Sequence, residues 1–283
     1  MVRIIGFLVG LFFAGMALWA FGTGLGTVAA QGYLKEKTAE SVFHREPKHL
    51  ALASDGPFGK FDHRQVQRGY QVYKEVCKAC HSLNQVAFRD LAELGYDEAE
   101  VKAEAASWTV PGIDPNTGET TTRPGVPTDY FPKPFANDIA ARAANNNAIP
   151  PDLSLMAKAR EGGPSYIYSI LTGFQPVPAE LKKQFPDFET PKGLYYNPYF
   201  ANLNIAMPPP LTTDGQVQFK DGTPATVDEM ARDVAAFLMW TAEPSLDKRH
   251  QTGWPVLGFL LFATVLAFLA KKQIWADAKA RRD

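Results

Sequence analysis

Apolar residues along this chain form two unbroken runs and, between them, several periodic stretches. The first run follows Arg3, extends from Ile4 to Phe21, and gives way to small residues, Val28-Ala29-Ala30, before Gln31. A short basic start, an apolar stretch and an Ala-x-Ala-like end predict a secretory signal peptide over residues 1–30. A retained membrane segment is the alternative, because the run is close to spanning length. The second run, Trp254 to Ala270, carries no charge and is followed by Lys271-Lys272 and then by Lys279, Arg281 and Arg282. Extended by Gln273-Ile274-Trp275, it reaches the lower limit for a bilayer-spanning helix. Its flanking tryptophans suit the interfaces, and the positive-inside rule puts the basic tail in the cytoplasm. A buried core helix is the competing reading.

Between the runs, apolar positions recur at helical spacing. Val66, Tyr70, Tyr73 and Val76 lie three or four residues apart behind Asp62, a helix-capping residue. Met230, Val234, Phe237, Leu238 and Trp240 follow a capping box of Thr226 and Glu229. Shorter helices are predicted around 88–94, 98–106 and 137–144, from Asp152 through Met156 to Arg160 with Gly162-Gly163 closing it, and from Ser165 to Leu171 before Gly173. Residues 31–62, 108–134 and 174–224 read as loops and turns. The fold class is therefore mainly α, short helices joined by long loops.

Composition changes this picture little. Of 283 residues, 46% are hydrophobic and 21% charged, ordinary for a globular protein, and the 22 prolines and 22 glycines agree with a loop-rich one. A formal charge of −1 offers no basic excess, so nucleic acid is not an expected partner. Asp90, Glu93, Asp97, Glu98, Glu100 and Glu104 cluster in sequence. They form either a solvated helix face or a negative patch that steers a basic redox partner.

The chemistry is concentrated in Cys77-Lys78-Ala79-Cys80-His81, which holds both cysteines of the chain. Cys-x-x-Cys-His is the spacing of c-type haem attachment: two thiols on one helical turn can each form a thioether with a vinyl group, and the adjacent imidazole can reach the iron. A disulfide, a thioredoxin-like redox pair and half a zinc site are the alternatives. A zinc site needs further Cys or His at comparable spacing, and a redox pair needs a βαβ pattern; neither is present. The cysteine usage agrees with an oxidising compartment.

The occupant of the opposite face of the iron decides between electron transfer and ligand chemistry. Met1 and Met16 fall in the targeting segment, while Met156, Met230 and Met239 lie in predicted helices, where core packing is the default. Met207 lies in a loop before Pro208-Pro209-Pro210, stiff enough to hold a thioether in place. His44, His49, His63 and His250 are the other candidates. A His/Met pair raises the potential and closes the iron to small ligands, which describes an electron carrier.

The run Arg68-Gly69-Tyr70-Gln71-Val72-Tyr73-Lys74-Glu75-Val76-Cys77-Lys78-Ala79-Cys80-His81-Ser82 resembles the cytochrome c1 family, haem subunits of the bacterial-type cytochrome bc1 complex. So do Asp129-Tyr130-Phe131-Pro132-Lys133-Pro134, Ala141-Arg142-Ala143-Ala144-Asn145-Asn146, Pro150-Pro151-Asp152-Leu153-Ser154, Tyr196-Asn197-Pro198-Tyr199-Phe200 and Asp221-Gly222-Thr223-Pro224-Ala225-Thr226. The resemblance covers the chain from about Phe61 to the C-terminal anchor.

It implies a class I cytochrome c-like domain with loop insertions, a single C-terminal transmembrane helix, and one haem c bonded to Cys77 and Cys80 with His81 and Met207 as iron ligands. Arg160 matches a position near a haem propionate, and Asn145, Pro151, Met156 and Tyr166 match pocket positions. No residue is expected to perform acid–base catalysis. The resemblance further implies an electron-transfer subunit of quinol–cytochrome c oxidoreductase, within a dimeric complex containing cytochrome b. It would take electrons from the Rieske iron–sulfur protein and pass them to a c-type cytochrome. A haem c subunit of a terminal oxidase or nitric oxide reductase is the second reading. The expected organisation is a signal peptide or retained segment at 1–30, a periplasmic haem domain at 31–250, a transmembrane helix at 251–275 in the bacterial inner membrane, and a cytoplasmic tail at 276–283. Some bacterial relatives carry a disulfide in the haem domain; the resemblance implies that both cysteines here are committed to haem instead.

Overall fold

The structure, a computed structural model, describes residues 2–30 and 37–276. The expected processing boundary after Ala30 and the basic residues Lys279, Arg281 and Arg282 border on or lie outside the described residues. Contacts divide the chain into two units, one of Met1–His44 with Pro178–Phe188 and one of Arg45–Val177 with Glu189–Asp283. In the first, helix α1 (Val2–Ala30) is apolar apart from Arg3, Thr23 and Thr27 and buries no side chain. Helix α2 (Ala39–Phe43) starts at a reciprocal cap between Thr38 and Ser41.

The second unit is organised on α3 (His63–Glu75). Asp62 Oδ1 accepts hydrogen bonds from the Arg64 and Gln65 amides at 3.0 and 3.4 Å, satisfying donors that the first helical turn leaves open. The predicted stripe is buried: Val66, Tyr70 and Tyr73 enter the core, with Val76 partly buried against it. The helix ends at Glu75, two residues before Cys77, and Cys77–Ala79 form a 3-10 turn just beyond it. Phe88–Leu94 is also 3-10, closed by Gly95 at φ 92°, and α4 (Glu98–Ala106) is capped by Asp97.

Residues 108–134, expected to be turns alone, contain an antiparallel hairpin of β1 (Thr109–Ile113) and β2 (Thr120–Pro124), in register from Thr109 opposite Pro124 to Ile113 opposite Thr120. Arg123 closes its base with two bonds to Asp129, at 2.6 and 2.8 Å. Helix α5 (Asp138–Ala144) runs as expected from its cap Asn137, whose Oδ1 accepts from the Ala140 amide at 2.9 Å. It stops because Asn146 and Asn147 turn left-handed, with φ of 50° and 65°, which asparagine tolerates better than most residues.

Helix α6 (Met156–Ala159) is shorter than the Asp152–Arg160 helix predicted, because Asp152 bonds elsewhere, as described below. Helix α7 (Gly163–Leu171) is entered through Gly162 in the left-handed region. Helix α8 (Ala179–Gln184) falls in the expected 174–224 loop and belongs to the first unit, where Phe43 and Phe185 meet edge to face at 6.2 Å. Strands β3 (Tyr195–Tyr196) and β4 (Asn204–Ile205) pair as a two-residue ladder.

Helix α9 (Val227–Ala242) buries all five residues of its predicted face and packs across α3, α6 and α7. Thr226 Oγ1 caps it by accepting from the Glu229 amide at 3.0 Å, but Glu229 does not reciprocate; its carboxylate goes to Arg68. The crossing with α3 needs Gly69, where a Cβ would overlap the Asp233 carbonyl. Around it, Tyr70 and Tyr73 lie 5.6 and 5.7 Å from the Phe237 ring, and Phe131 links Tyr73 to Phe88 and Trp108. Each such ring pair adds about 0.5–1.5 kcal/mol to the burial of its apolar area. Helix α10 (Leu246–Ile274) then extends as one piece through Pro255, beginning before the expected residue 251, with the apolar part wholly unburied.

Candidate haem site

The Cys77–Ala79 turn is held from both sides. The His81 amide donates to the Cys77 carbonyl at 2.9 Å, and the Tyr73 hydroxyl reaches the His81 carbonyl at 3.1 Å, so α3 fixes the backbone of the motif. Lys78, between the cysteines, sits over the Trp108 ring with its ammonium 4.2 Å from the centroid. Both thiols are free; Cys77 is half-buried and Cys80 exposed. Burial pushes the Cys77 thiol up to about 12, with the neighbouring Cys80 adding to the shift. A thiol held protonated in this way is a poor nucleophile for disulfide exchange.

The orientation of His81 decides what the site can hold. Its Nδ1 lies 2.8 Å from the Pro151 carbonyl oxygen. A carbonyl only accepts, so Nδ1 carries the proton and Nε2 presents a lone pair, the arrangement that metal-binding histidines take. Burial holds the ring below its ordinary pKa, against the Pro151 bond and the nearby Asp152 charge, and so favours the neutral form.

Pro151 is itself positioned by Asp152. Asp152 Oδ2 accepts from the Ser82 hydroxyl at 2.7 Å and the Asn84 amide at 2.8 Å, and Oδ1 from the Ser154 amide at 3.0 Å. Burial alone would raise this carboxyl, but those donors hold it below the usual range. The Leu153 amide donates to the Ser82 carbonyl at 2.9 Å, and the Gln85 amide to the buried Ser154 hydroxyl at 3.1 Å. Residues 150–154 are thus stitched to residues 81–85. The sequence pointed to Pro151 through a family motif and read Asp152 as a helix start. The roles of Tyr73, Ser82, Asp152 and Ser154 carry no periodic signal and were missed.

The remaining predicted residues are placed as follows. Met207 is half-buried in the bend after β4. Met156 opens α6, half-buried and packed on the core. Asn145 terminates α5, its Nδ2 donating to the Ala141 carbonyl at 2.7 Å. Arg160 is exposed just past α6, has no carboxylate partner among the described residues, and lies close enough to Tyr166 to offset part of the rise that burial gives that phenol. Of the alternative histidines, His44 and His49 are exposed, His63 stands 3.8 Å from Asp247, and His250 Nδ1 is bonded to the Gly59 carbonyl at 2.8 Å.

The acidic cluster is less of a surface patch than its sequence suggests. Glu104 turns inward, accepting from Tyr70 at 2.6 Å, Trp108 at 2.9 Å and Lys74 at 2.8 Å. Asp90 and Asp97 cap the two short helices, and Glu98 pairs with Lys102.

Two free thiols three positions apart and an adjacent imidazole with its Nε2 lone pair open fit a covalently attached haem. Among the described residues no group of three or more His, Cys, Asp or Glu side chains could hold a metal ion by itself. The model of the Cytochrome C1 family matches residues 52–278. Cytochrome c1 of Rhodospirillum rubrum is 47% identical over 233 residues, covering 79% of this chain and 85% of that one. The mitochondrial cytochrome c1 haem protein of Saccharomyces cerevisiae is 44% identical over 254 residues, 88% of this chain and 80% of that one. A Bradyrhizobium diazoefficiens polypeptide named cytochrome b/c1 is 45% identical over 245 residues, 79% of this chain but 34% of the longer relative. The chain therefore belongs to the cytochrome c1 family, the membrane-anchored electron-transfer subunits of the cytochrome bc1 complex, and its cofactor is covalently bound haem c.

Proposed function

We propose that the chain takes single electrons from the Rieske iron–sulfur protein and delivers them to a c-type cytochrome, as the haem c subunit of quinol–cytochrome c oxidoreductase. The observation that carries this reading is the His81–Pro151 bond, which leaves the Nε2 lone pair open to an iron ion. In this reading Cys77 and Cys80 hold the porphyrin by thioethers, and Met207 supplies the second axial ligand. When bound, the haem supplies one-electron chemistry whose potential depends on its axial ligands and surroundings. Arg160, exposed and without a carboxylate partner among the described residues, suits an anionic propionate. Tyr166, Asn145, Pro151 and Met156 complete the pocket wall.

The partners follow from the family. The Bradyrhizobium relative's name joins b to c1 in one polypeptide, which supports a cytochrome b neighbour for this chain. The domain layout proposed is a signal or retained segment at 1–30, a haem domain on the periplasmic side of the bacterial inner membrane, and α10 crossing to a cytoplasmic C-terminus, within a dimeric complex.

Purification of the native membrane complex tests the proposal. Cytochrome b and an iron–sulfur subunit should co-purify with a haem-staining band at 31.2 kDa, or slightly less after leader removal. Co-purification with a haem-copper oxidase or nitric oxide reductase partner would replace this reading with the second one.

A further inference from the structure

The chain from Leu52 to Phe61 forms a closed loop clamped onto the start of α10. Inside the loop, the Asp55 amide donates to the Leu52 carbonyl at 3.0 Å, the Lys60 amide to the Ala53 carbonyl at 2.9 Å, and Asp55 Oδ2 accepts from the Leu52 amide at 2.8 Å. Gly59 is forced by crowding, since a Cβ there would strike the Ser54 carbonyl. Three bonds then tie the loop to the helix: the Phe61 amide to Asp247 Oδ1 at 3.0 Å, His250 Nδ1 to the Gly59 carbonyl at 2.8 Å, and Trp254 Nε1 to the Pro57 carbonyl at 3.3 Å. The tip residue Phe58 stacks on Trp254, with centroids 4.8 Å apart and planes 13° from parallel.

Phe58 is nevertheless 74% exposed. One face of the ring meets Trp254 and the rest stands open on a loop held fast at both ends. Its position along α10 indicates what covers it. Trp254 is the first large apolar residue of the run that ends at Ala270, just before Lys271. That run rises only about 25 Å at 1.5 Å per residue, short of a hydrocarbon core about 30 Å thick. A short span draws its flanking residues into the interface instead of letting them stand off in water. Trp254 therefore lies at the headgroup level, where aromatic rings concentrate, and Phe58, stacked face to face on it, shares that depth.

We propose that the Phe58 loop is a second membrane contact, its ring seated in the interfacial lipid beside Trp254, so that loop and helix together fix the orientation of the haem domain on the bilayer. The proposal rests on α10 spanning the membrane and is independent of the redox reading. The lipid side of this contact is the boundary between headgroups and acyl chains.

The test uses the full membrane complex in phosphatidylethanolamine and phosphatidylglycerol nanodiscs, with a photoreactive residue introduced as Phe58→p-benzoylphenylalanine. Leu260→p-benzoylphenylalanine, in the middle of the apolar run, reports on the span, and Ile113→p-benzoylphenylalanine, on the hairpin and 73% exposed, reports on water-facing surface. Phospholipid adducts at 58 and 260 but not at 113 are expected. A lipid adduct at 260 with only a polypeptide adduct at 58 would overturn the proposal in favour of a protein contact. No adduct at 260 would instead remove the span on which it rests. Hydroxyl-radical footprinting of the unmodified complex decides the matter should the Phe58 variant fail to assemble. Oxidation of Phe58 should be several-fold slower than that of Ile113 after correction for intrinsic reactivity, and equal corrected rates would reject the lipid contact.

Discussion

Arg68 and Asp233 form a two-pronged ion pair across the α3–α9 crossing, Nε to Oδ2 at 2.7 Å and Nη2 to Oδ1 at 3.2 Å, next to the glycine that lets the helices meet. Asp233 is fully buried, and that burial pushes its carboxyl up to about 6 in spite of the guanidinium. Arg68→Met leaves the carboxylate buried and unpaired, at a cost of about 3–5 kcal/mol, whereas Arg68→Met with Asp233→Leu restores most of it. The sign with pH follows. A carboxyl raised in the folded state contributes stability that is complete below its unfolded pKa and lost as pH rises through the folded value. Thermal unfolding of the single variant should therefore show a higher melting temperature at pH 5 than at pH 8, by a wider margin than the unmodified protein. A flat profile would show that Asp233 finds another partner.

Gly69→Ala should be among the most damaging small substitutions in the haem domain. Alanine favours helix over glycine by about 1 kcal/mol, but here the added methyl meets the Asp233 backbone, which cannot move without separating α3 from α9. A net loss of about 1–3 kcal/mol is expected, as for overpacked cores. Gly253→Ala in α10, where the Cβ meets open space, is the control and should be neutral or slightly stabilising. Denaturant melts of the two variants side by side separate packing from propensity.

The parts of this fold that were legible in the sequence are those that repeat. Val66, Tyr70 and Tyr73 on α3 and Met230 through Trp240 on α9 advertise their burial by spacing, because each must face the same neighbour turn after turn. The cysteines and His81 stood out for another reason: Cys-x-x-Cys-His is a spacing set by covalent haem attachment, not by packing. The β1–β2 hairpin was not, since its five-residue strands are rich in Thr and Pro and it buries only Val110 and the adjoining Trp108. Asp152 was misread as a helix start because an acid before a helical stretch is the ordinary capping signal. Two of its donors come from residues 82 and 84, about seventy positions away, and single-chain periodicity has no access to such pairings. Glu104 was misjudged in the same way: one acid among six turned inward to meet Tyr70 and Trp108.

Met207→Leu tests the second axial ligand. Loss of a thioether from a His/Met pair lowers the reduction potential and opens that face of the iron to small molecules. The variant, retaining the covalent band on a denaturing gel, should show a lower midpoint potential and should bind carbon monoxide when reduced, where the unmodified protein does not. An unchanged potential with no carbon monoxide binding would assign the ligand to another residue.

Asp152 supports His81 at one remove. Its carboxylate ties Ser82, Asn84 and Ser154 together, and so sets the Pro151 carbonyl that orients the imidazole. Asp152→Ala leaves the Asn84 amide and the Ser82 hydroxyl without this acceptor, and a loss of about 2–3 kcal/mol is expected from charge-assisted bonds of this kind. The carboxyl lies below its ordinary range in the folded protein. Its stability contribution is therefore fully present above the unfolded value of about 3.9 and disappears as pH falls through the folded one. Acid titration of the unmodified protein should show unfolding that begins below about pH 4, and this limb should flatten in Asp152→Ala. The same variant discriminates support from mere packing. If Asp152 acts through Pro151 on His81, the reduction potential shifts along with the stability, and Pro151→Ala, which keeps the carbonyl, shifts neither to the same extent. A stability loss with an unmoved potential would confine Asp152 to holding the two segments together.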